Sequence, residues 1–322
     1  MKNDNDNNFV ILISGPTASG KTDLSLEVGN FLPVEIINAD MGQFYTPFSI
    51  GTAKPDWKKQ KIKHHLFDIL NTPKDLSVAE YTELVKEKIN LVWKKNKIPV
   101  IVGGSLFYIK SLFFPPKKIK KINQCISFED QNLWELLNKI DPIRASHIHP
   151  NDEYRLKRAL DIWKETGLKP SQIKPDFSPF FNSFFIHLNL EKDVLYKRIE
   201  KRTKKMFDLG WVKEVEKILG SDWESFFLKK GLIGYKNIVD WIKNGKDKKQ
   251  FDCLVEEVIK ETKLYAKRQK TFWKSFKKHL QKESKNPEFI CKIIELDCKN
   301  IEDFKFLKNY FLKEINFFVA DN

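Results

Sequence analysis

The segment "GPTASGKT", Gly15 to Thr22, follows the apolar run "FVILIS" and opens a helix-forming stretch. It fits the pattern G-x-x-x-x-G-K-[ST] in the strand–turn–helix setting that the pattern requires. Gly15 and Gly20 allow the tight turn. The backbone N–H groups of residues 17–22 are expected to cradle phosphate oxygens at the helix N-terminus. Lys21 supplies a point charge, and the Thr22 hydroxyl reaches Mg2+. The whole loop (Gly15, Pro16, Thr17, Ala18, Ser19, Gly20, Lys21 and Thr22) is the expected diphosphate or nucleotide site. A loop of this kind commits the chain to a parallel sheet with helices on its faces.

The rest of the first third agrees. "VEIINA" reads as a second strand, and "IPVIVGG" as a third. Between them, residues 77 to 94 place Val78, Tyr81, Leu84, Val85, Ile89 and Val92 at helical spacing, with Ser77 and Glu80 forming a capping box. Strands alternating with helices imply a doubly wound parallel sheet. From Pro115 to about Ser183 the pattern changes. A basic run, "PPKKIKK", leads into helices near 130–140 and 152–165 and a Pro/Ser/Phe-rich connector. A strand returns at 184–190, followed by a helix over 192–208, a long helix over about 252–282, a last strand "FICKIIEL" and a helix over 301–314. The expected fold class is α/β, a P-loop NTPase-like parallel sheet flanked by helices with a mainly helical insertion domain. The expected domains are a catalytic core, 1–113 with 184–322, and a helical insertion, 114–183.

A phosphate loop leaves the reaction open. ATPases usually hold Mg2+ through a second carboxylate at a strand end, but "IPVIVGGS" ends in Gly103-Gly104-Ser105. The strand-end acid near the loop is Asp40, in "IINADMGQFY". Two roles stay open for it, a metal-side carboxylate or a general base beside a bound diphosphate.

Charge narrows the partner. The net charge of +14 points to a polyanion. The cations are 51 Lys and only six Arg, at 144, 155, 158, 198, 202 and 268, so each Arg marks a place where a planar fork is worth having. Cys125, Cys253, Cys291 and Cys298 are scattered and read as inert, half-buried thiols. No run approaches the ~18 apolar residues of a membrane span, and the polar start reads as cytoplasmic.

Ten segments in order then carry a resemblance: "GPTASGKT", "NADMGQFY", "IGTAKP", "HHLFDIL", "SVAEY", "PVIVGGSLFY", "HPNDEYRLKRAL", "RIEKRTKKM", "GYK" and "YAKRQKTFW". With them the chain resembles the tRNA dimethylallyltransferases, or tRNA isopentenyltransferases, of the bacterial type. The resemblance implies transfer of a dimethylallyl group from dimethylallyl diphosphate to N6 of the adenosine 3′ of the anticodon (position 37) in tRNA, with diphosphate leaving and Mg2+ assisting. It implies catalytic roles for Asp40 as general base and for Lys21, Thr22 and Arg202 around the diphosphate, with Arg198 one turn before Arg202. It implies tRNA contacts from Asp40, Met41, Gly42, Gln43 and Ser105 at the base, from Tyr154, Arg155, Leu156, Lys157 and Arg158 in the insertion, and from Arg268 with Lys267 beside it. Phe44, Tyr45, Phe107 and Tyr108 are candidates to hold an extruded base. The expected partners are the tRNA anticodon loop and dimethylallyl diphosphate, with no membrane and a monomeric enzyme. Met41 stands where the family has Ser, and Leu106 where it has Gly. The alternatives are an adenylate (AMP/ADP) isopentenyltransferase, a P-loop kinase and a tRNA-binding paralogue with impaired catalysis.

Overall fold

The computed structural model describes residues 9–117, 132–284 and 289–297. The chain divides into two compact units, Met1–Phe113 with Pro179–Asn322, and Phe114–Ser178.

The larger unit is built on a parallel sheet. Its strands are β1 (Phe9–Ser14), β2 (Val34–Asn38), β3 (His64–His65), β4 (Ile98–Gly103), β5 (Asn182–Leu188) and β6 (Cys291–Leu296), in the order β3-β2-β4-β1-β5-β6. The two central strands, β4 and β1, are apolar along nearly their whole length because both faces are covered. One face packs Ile11, Ile13, Val100, Val102 and Phe184 against Leu24 and Val28 of α1 (Lys21–Val28) and Leu195 and Ile199 of α7 (Lys192–Asp208). On α2 (Val78–Trp93), Tyr81, Val85, Ile89 and Val92 are buried, and the Ser77–Glu80 capping box forms. Helix α3 (Leu106–Phe113) buries Ile109, Leu112 and Phe113, and the Phe113 ring stacks on Phe185 of β5.

The smaller unit holds α4 (Leu133–Ile140), α5 (Pro142–Ala145) and α6 (Glu153–Thr166). Asn132, Asp141 and Asp152 each accept a backbone N–H at a helix start. Leu137, Ala145, Ile148, Leu156, Ala159 and Leu160 form its core. Asp141 also accepts the Ser171 N–H at 2.7 Å, which fixes the start of the connector.

The larger unit resumes with α7 and then α8 (Trp211–Glu216), α9 (Asp222–Lys230), α10 (Tyr235–Lys243) and the 33-residue α11 (Phe251–Glu283). Three short helices, α8 to α10, and the two-residue strand β3 are not among the elements expected from the sequence, although α10 places Tyr235, Ile238 and Val239 at helical spacing. Strand β5 starts two residues before the expected 184. The expected helix over 301–314 and most of the basic run after Pro115 lie outside the described residues.

Topology sets the site. Strands β2, β4 and β1 are neighbours, and all three point the same way. Ligands of open parallel sheets bind beyond the carboxyl ends of the strands. The loop after β1 is the phosphate loop, the residues after β2 include Asp40, and those after β4 are Gly104 and Ser105. Residues far apart in sequence therefore meet at one edge.

Candidate active site

The phosphate loop forms as its sequence requires. Gly15 and Gly20 take φ of 156° and 94°, and Ala18, at φ 62°, takes a left-handed turn without being glycine. Lys21 Nζ folds back on the loop, donating to the carbonyls of Gly15 at 3.1 Å and Pro16 at 2.8 Å. Burial brings its ammonium down to about 8, while the Asp40 carboxylate opposes that fall and the Arg202 guanidinium adds to it.

Arg202 reaches in from α7 and donates to the Thr17 hydroxyl. Its Nε is buried with no partner, and so is the Ser19 hydroxyl. Buried donors are rarely left unmade. Two of them beside a phosphate loop mark a place for anionic oxygen atoms.

The Thr17 N–H departs from the expected cradle. It donates instead to Gln269 Oε1 of α11 at 2.8 Å. The Ser19 N–H is also taken, by the Pro16 carbonyl at 3.2 Å, so the cradle is residues 18 and 20–22, and Thr17 serves as an anchor. Arg198 lies near Asp23, whose carboxyl is raised by burial and eased down by that Arg.

Asp40 is the second residue after β2 and is held at its backbone. The Asn38 carboxamide accepts the Asp40 N–H at 2.9 Å and donates to the Asp40 carbonyl at 3.2 Å. The Ser105 hydroxyl accepts the Met41 N–H at 3.0 Å. Ser105 therefore orients the loop that carries Asp40. Gly104 leaves room where these groups meet, since a Cβ there would lie 3.4 Å from Asp40 Oδ2 and 3.7 Å from Lys21 Nζ. A carboxylate and an ammonium thus converge on one point.

Asp40 borders a cavity of about 500 Å³. Thr17, Arg202, Asp40 and Ser105 give it polar lining, Met41 and Gly42 adjoin them, and Met206, Trp211, Leu232 and Ile233 supply apolar lining. Phe107, 61% exposed, and Arg268 stand on its rim. A smaller pocket behind it is shared by Lys21, Thr22, Asp40, Gln43 and His64.

Several expected residues do other work. The Gln43 amide donates to the carbonyls of Thr52 and Ala53 at 3.2 and 3.3 Å, so its donor end holds a loop and not a base. Phe44 and Tyr45 are fully buried. Tyr45 packs edge-on against Phe48, Trp223 and Phe226. Tyr108 is buried too, and its hydroxyl donates to the Leu76 carbonyl at 2.8 Å. Of the four aromatic candidates, Phe107 alone presents an open face. In the helical unit Tyr154, Arg155, Lys157 and Arg158 are exposed on α6, but Leu156 is 2% exposed and belongs to the core. Its i+3 and i+4 partners, Ala159 and Leu160, are buried with it. Cys253 is exposed, not half-buried, and Cys291 is half-buried.

Two residues that hold the cavity's walls were not singled out in the sequence. Gln269 adjoins Arg268 in "YAKRQKTFW", and a polar residue on the apolar stripe of a long helix was the available signal. Glu214 sits on α8 and accepts the N–H groups of Ser49, Ile50 and Gly51 at 2.8, 2.7 and 3.0 Å. Nothing in its local sequence announces that.

The IPP transferase family profile matches residues 43–276. The chain belongs to the IPP transferase family. Among curated relatives, a protein named tRNA dimethylallyltransferase from Finegoldia magna is 37% identical over 83% of this chain and 88% of its own. One of the same name from Thermoanaerobacter sp. is 33% identical over 96% of this chain and 99% of its own. Among solved structures, the tRNA isopentenylpyrophosphate transferase of Staphylococcus epidermidis superposes with a TM-score of 0.62 at 28% identity, over 96% of this chain and 99% of that one. A eukaryotic dimethylallyltransferase solved acting on tRNA shares the fold, with a TM-score of 0.76 at 24% identity over 95% of this chain and 80% of that one.

Proposed function

We propose that this IPP transferase family member moves a dimethylallyl group from dimethylallyl diphosphate to N6 of the adenosine 3′ of the anticodon in tRNA, releasing diphosphate. One observation carries the reading. Asp40 and Lys21 converge at Gly104, and Asp40 and Gly104 also line a cavity with an apolar wall. A prenyl diphosphate needs both ends, and an amine acceptor needs a base between them.

The chemistry follows from charge. The allylic C–O bond breaks and electrons pass to the diphosphate. Cations and N–H dipoles held in advance stabilise that charge more than they stabilise the substrate. Lys21, the loop amides of residues 18 and 20–22, the Ser19 hydroxyl and the unpartnered Nε of Arg202 are suited to this. The C–N bond forms from N6, whose lone pair is delocalised into the ring. Asp40 takes the N6 proton as that bond forms. Met206, Trp211, Leu232 and Ile233 offer the five-carbon chain a dry wall, which keeps water from the allylic carbon.

The residues present also fit a Mg2+ ion. Thr22 and Asp40 share the smaller pocket, and no group of three His, Cys, Asp or Glu is found among the described residues. Mg2+ commonly takes few protein ligands when phosphate oxygens and water supply the rest. Thr22 would hold it, and it would neutralise charge on the leaving diphosphate.

For tRNA, the exposed Arg155 and Arg158 on α6 suit phosphate, and Phe107 and Arg268 on the rim suit an unstacked base. No helix among the described residues is long and apolar enough to cross a membrane.

The test is direct. The enzyme is incubated with Mg2+ and labelled dimethylallyl diphosphate, and with tRNA or AMP as acceptor. Nucleoside digestion should release N6-isopentenyladenosine from tRNA and leave AMP unlabelled. Labelled AMP with unlabelled tRNA would overturn the reading. ATP turnover with a small acceptor would point to a kinase; β4 running out into Gly104 and Ser105, with no acid there, argues against that.

A further inference from the structure

We propose that Gln269 is a positioning residue that sets the prenyl donor against the acceptor base, an inference that rests on the prenyl-transfer reading above. Gln269 lies on α11, is 7% exposed, and uses both ends of its amide. Its Oε1 accepts the Thr17 N–H at 2.8 Å, and its Nε2 donates to the Gly104 carbonyl at 2.9 Å.

The two partners belong to different halves of the reaction. Thr17 is in the donor loop, and its hydroxyl takes the Arg202 guanidinium. Gly104 precedes Ser105, whose hydroxyl fixes the Met41 N–H beside the proton acceptor Asp40. Sheet pairing joins β1 to β4 only as far as Ser14 and Gly103. Beyond that register the Gln269 amide continues the link, across the gap where the two loops part. A Cβ at Gly104 would lie 2.7 Å from Gln269 Nε2 and 3.4 Å from Asp40 Oδ2, so strap and base are close neighbours.

The side-chain type is dictated by the two partners. One is an N–H donor and the other a carbonyl acceptor, so the strap must accept at one atom and donate at the next. A primary amide does this. A glutamate could accept from Thr17 but could not donate to Gly104, and it would set a second carboxylate beside Asp40. Alanine removes both bonds and leaves the Thr17 N–H unmade.

What the strap supplies is distance. Transfer needs the allylic carbon and N6 about 3–3.5 Å apart and aligned, and an error of roughly 1 Å can cost about 100-fold. The phosphate cradle of residues 18 and 20–22 makes no bond to Gln269, and neither do the exposed Arg side chains. Loss of the strap should therefore spare binding and harm transfer. It should also uncouple the reaction. With N6 out of line, water can take the allylic carbon, giving dimethylallyl alcohol, diphosphate and a proton in place of the modified base.

The experiment compares the full-length wild type with Gln269→Ala and the near-isosteric Gln269→Glu, using tRNA, Mg2+ and dimethylallyl diphosphate. N6-isopentenyladenosine and released diphosphate are both counted. We expect kcat for transfer to fall about 10- to 100-fold in both variants. The KM for donor and the Kd for tRNA should stay within about threefold, a change of under 1 kcal/mol. Diphosphate released per modified adenosine should rise above the wild-type ratio. A wild-type ratio with a near-normal kcat would overturn the proposal. So would a loss of donor binding, in the still-folded Glu variant, that accounts for the whole loss of rate. A wild-type enzyme that modifies no tRNA would instead remove the reading beneath it, whatever the variants do.

Discussion

The Glu214 carboxylate accepts the backbone N–H of Gly51 at 3.0 Å, and the same group takes those of Ile50 and Ser49 at 2.7 and 2.8 Å. One acid on α8 thus captures a turn whose next residues, Thr52 and Ala53, line the cavity. Tyr235 donates to the same carboxylate at 2.8 Å, and Trp211 closes behind Gly51 so tightly that a Cβ there would clash. Glu214→Gln keeps the shape but offers one acceptor oxygen where two are used, and turns an NH2 toward N–H donors. We expect it to lower unfolding stability by about 1–3 kcal/mol, in line with loss of charge-assisted hydrogen bonds, and to slow transfer through a loosened cavity wall. Denaturant midpoints and single-turnover rates check both, and an unchanged midpoint would refute the clamp.

Asp40→Asn separates base from scaffold. The backbone bonds from Asn38 and Ser105 that place residue 40 do not involve its carboxylate. The variant should fold normally and bind tRNA within about threefold, while kcat falls by about 100-fold or more, as for loss of a general base. A near-normal rate in a digest of the modified tRNA would take Asp40 out of the proton-transfer role.

Much of this site was legible because its parts are local. The phosphate loop is eight consecutive residues after an apolar strand, and Asp40 lies just past the end of the next strand, so a parallel sheet brings them together by topology alone. The arginines stood out against a background of lysine. What could not be read were bonds that span the chain. Gln269 meets Thr17 across 252 positions, and Glu214 meets Gly51 across 163. A lone polar residue on a helix carries no sign of its distant partner. Burial was hidden in the same way, since Phe44, Tyr45 and Phe107 look alike in sequence but only Phe107 is left open to solvent.

Lys21 gives the donor site a pH dependence. Burial, with Arg202 nearby, lowers its ammonium to about 8, against an unfolded value of 10.5. Between those two values the unfolded chain holds a proton that the ligand-free folded chain has lost, so ligand-free stability should rise with pH across that window. Donor binding has the opposite slope. A diphosphate favours the charged ammonium, so the Kd for dimethylallyl diphosphate should weaken above about pH 8, by up to about tenfold per pH unit. Calorimetry in buffers of different ionisation enthalpy should show proton uptake on binding in that range. Lys21→Arg, which stays charged, should flatten the profile. A wild-type Kd that does not change across the break would contradict the assignment.

The last prediction concerns the helical unit. Arg155 pairs with Asp152 at 3.3 Å, but its own side chain is 64% exposed and Asp152 is only half-buried. Exposed pairs of this kind are worth little and are easily exchanged for another anion. Arg158 lies three residues on, on the same helical stretch. If both meet tRNA phosphates, each releases a counterion, and the slope of log K against log salt carries a contribution of about 0.7 to 0.9 from each. Arg155→Ala with Arg158→Ala should therefore flatten that slope by about 1.5 and weaken binding most at low salt. The Asp152 cap of α6 is untouched, because its Oδ1 accepts the backbone N–H of residue 155 and not the side chain. The helix should keep its stability, so a lower affinity reports lost contacts. An unchanged salt slope would place the phosphate contacts elsewhere on the chain.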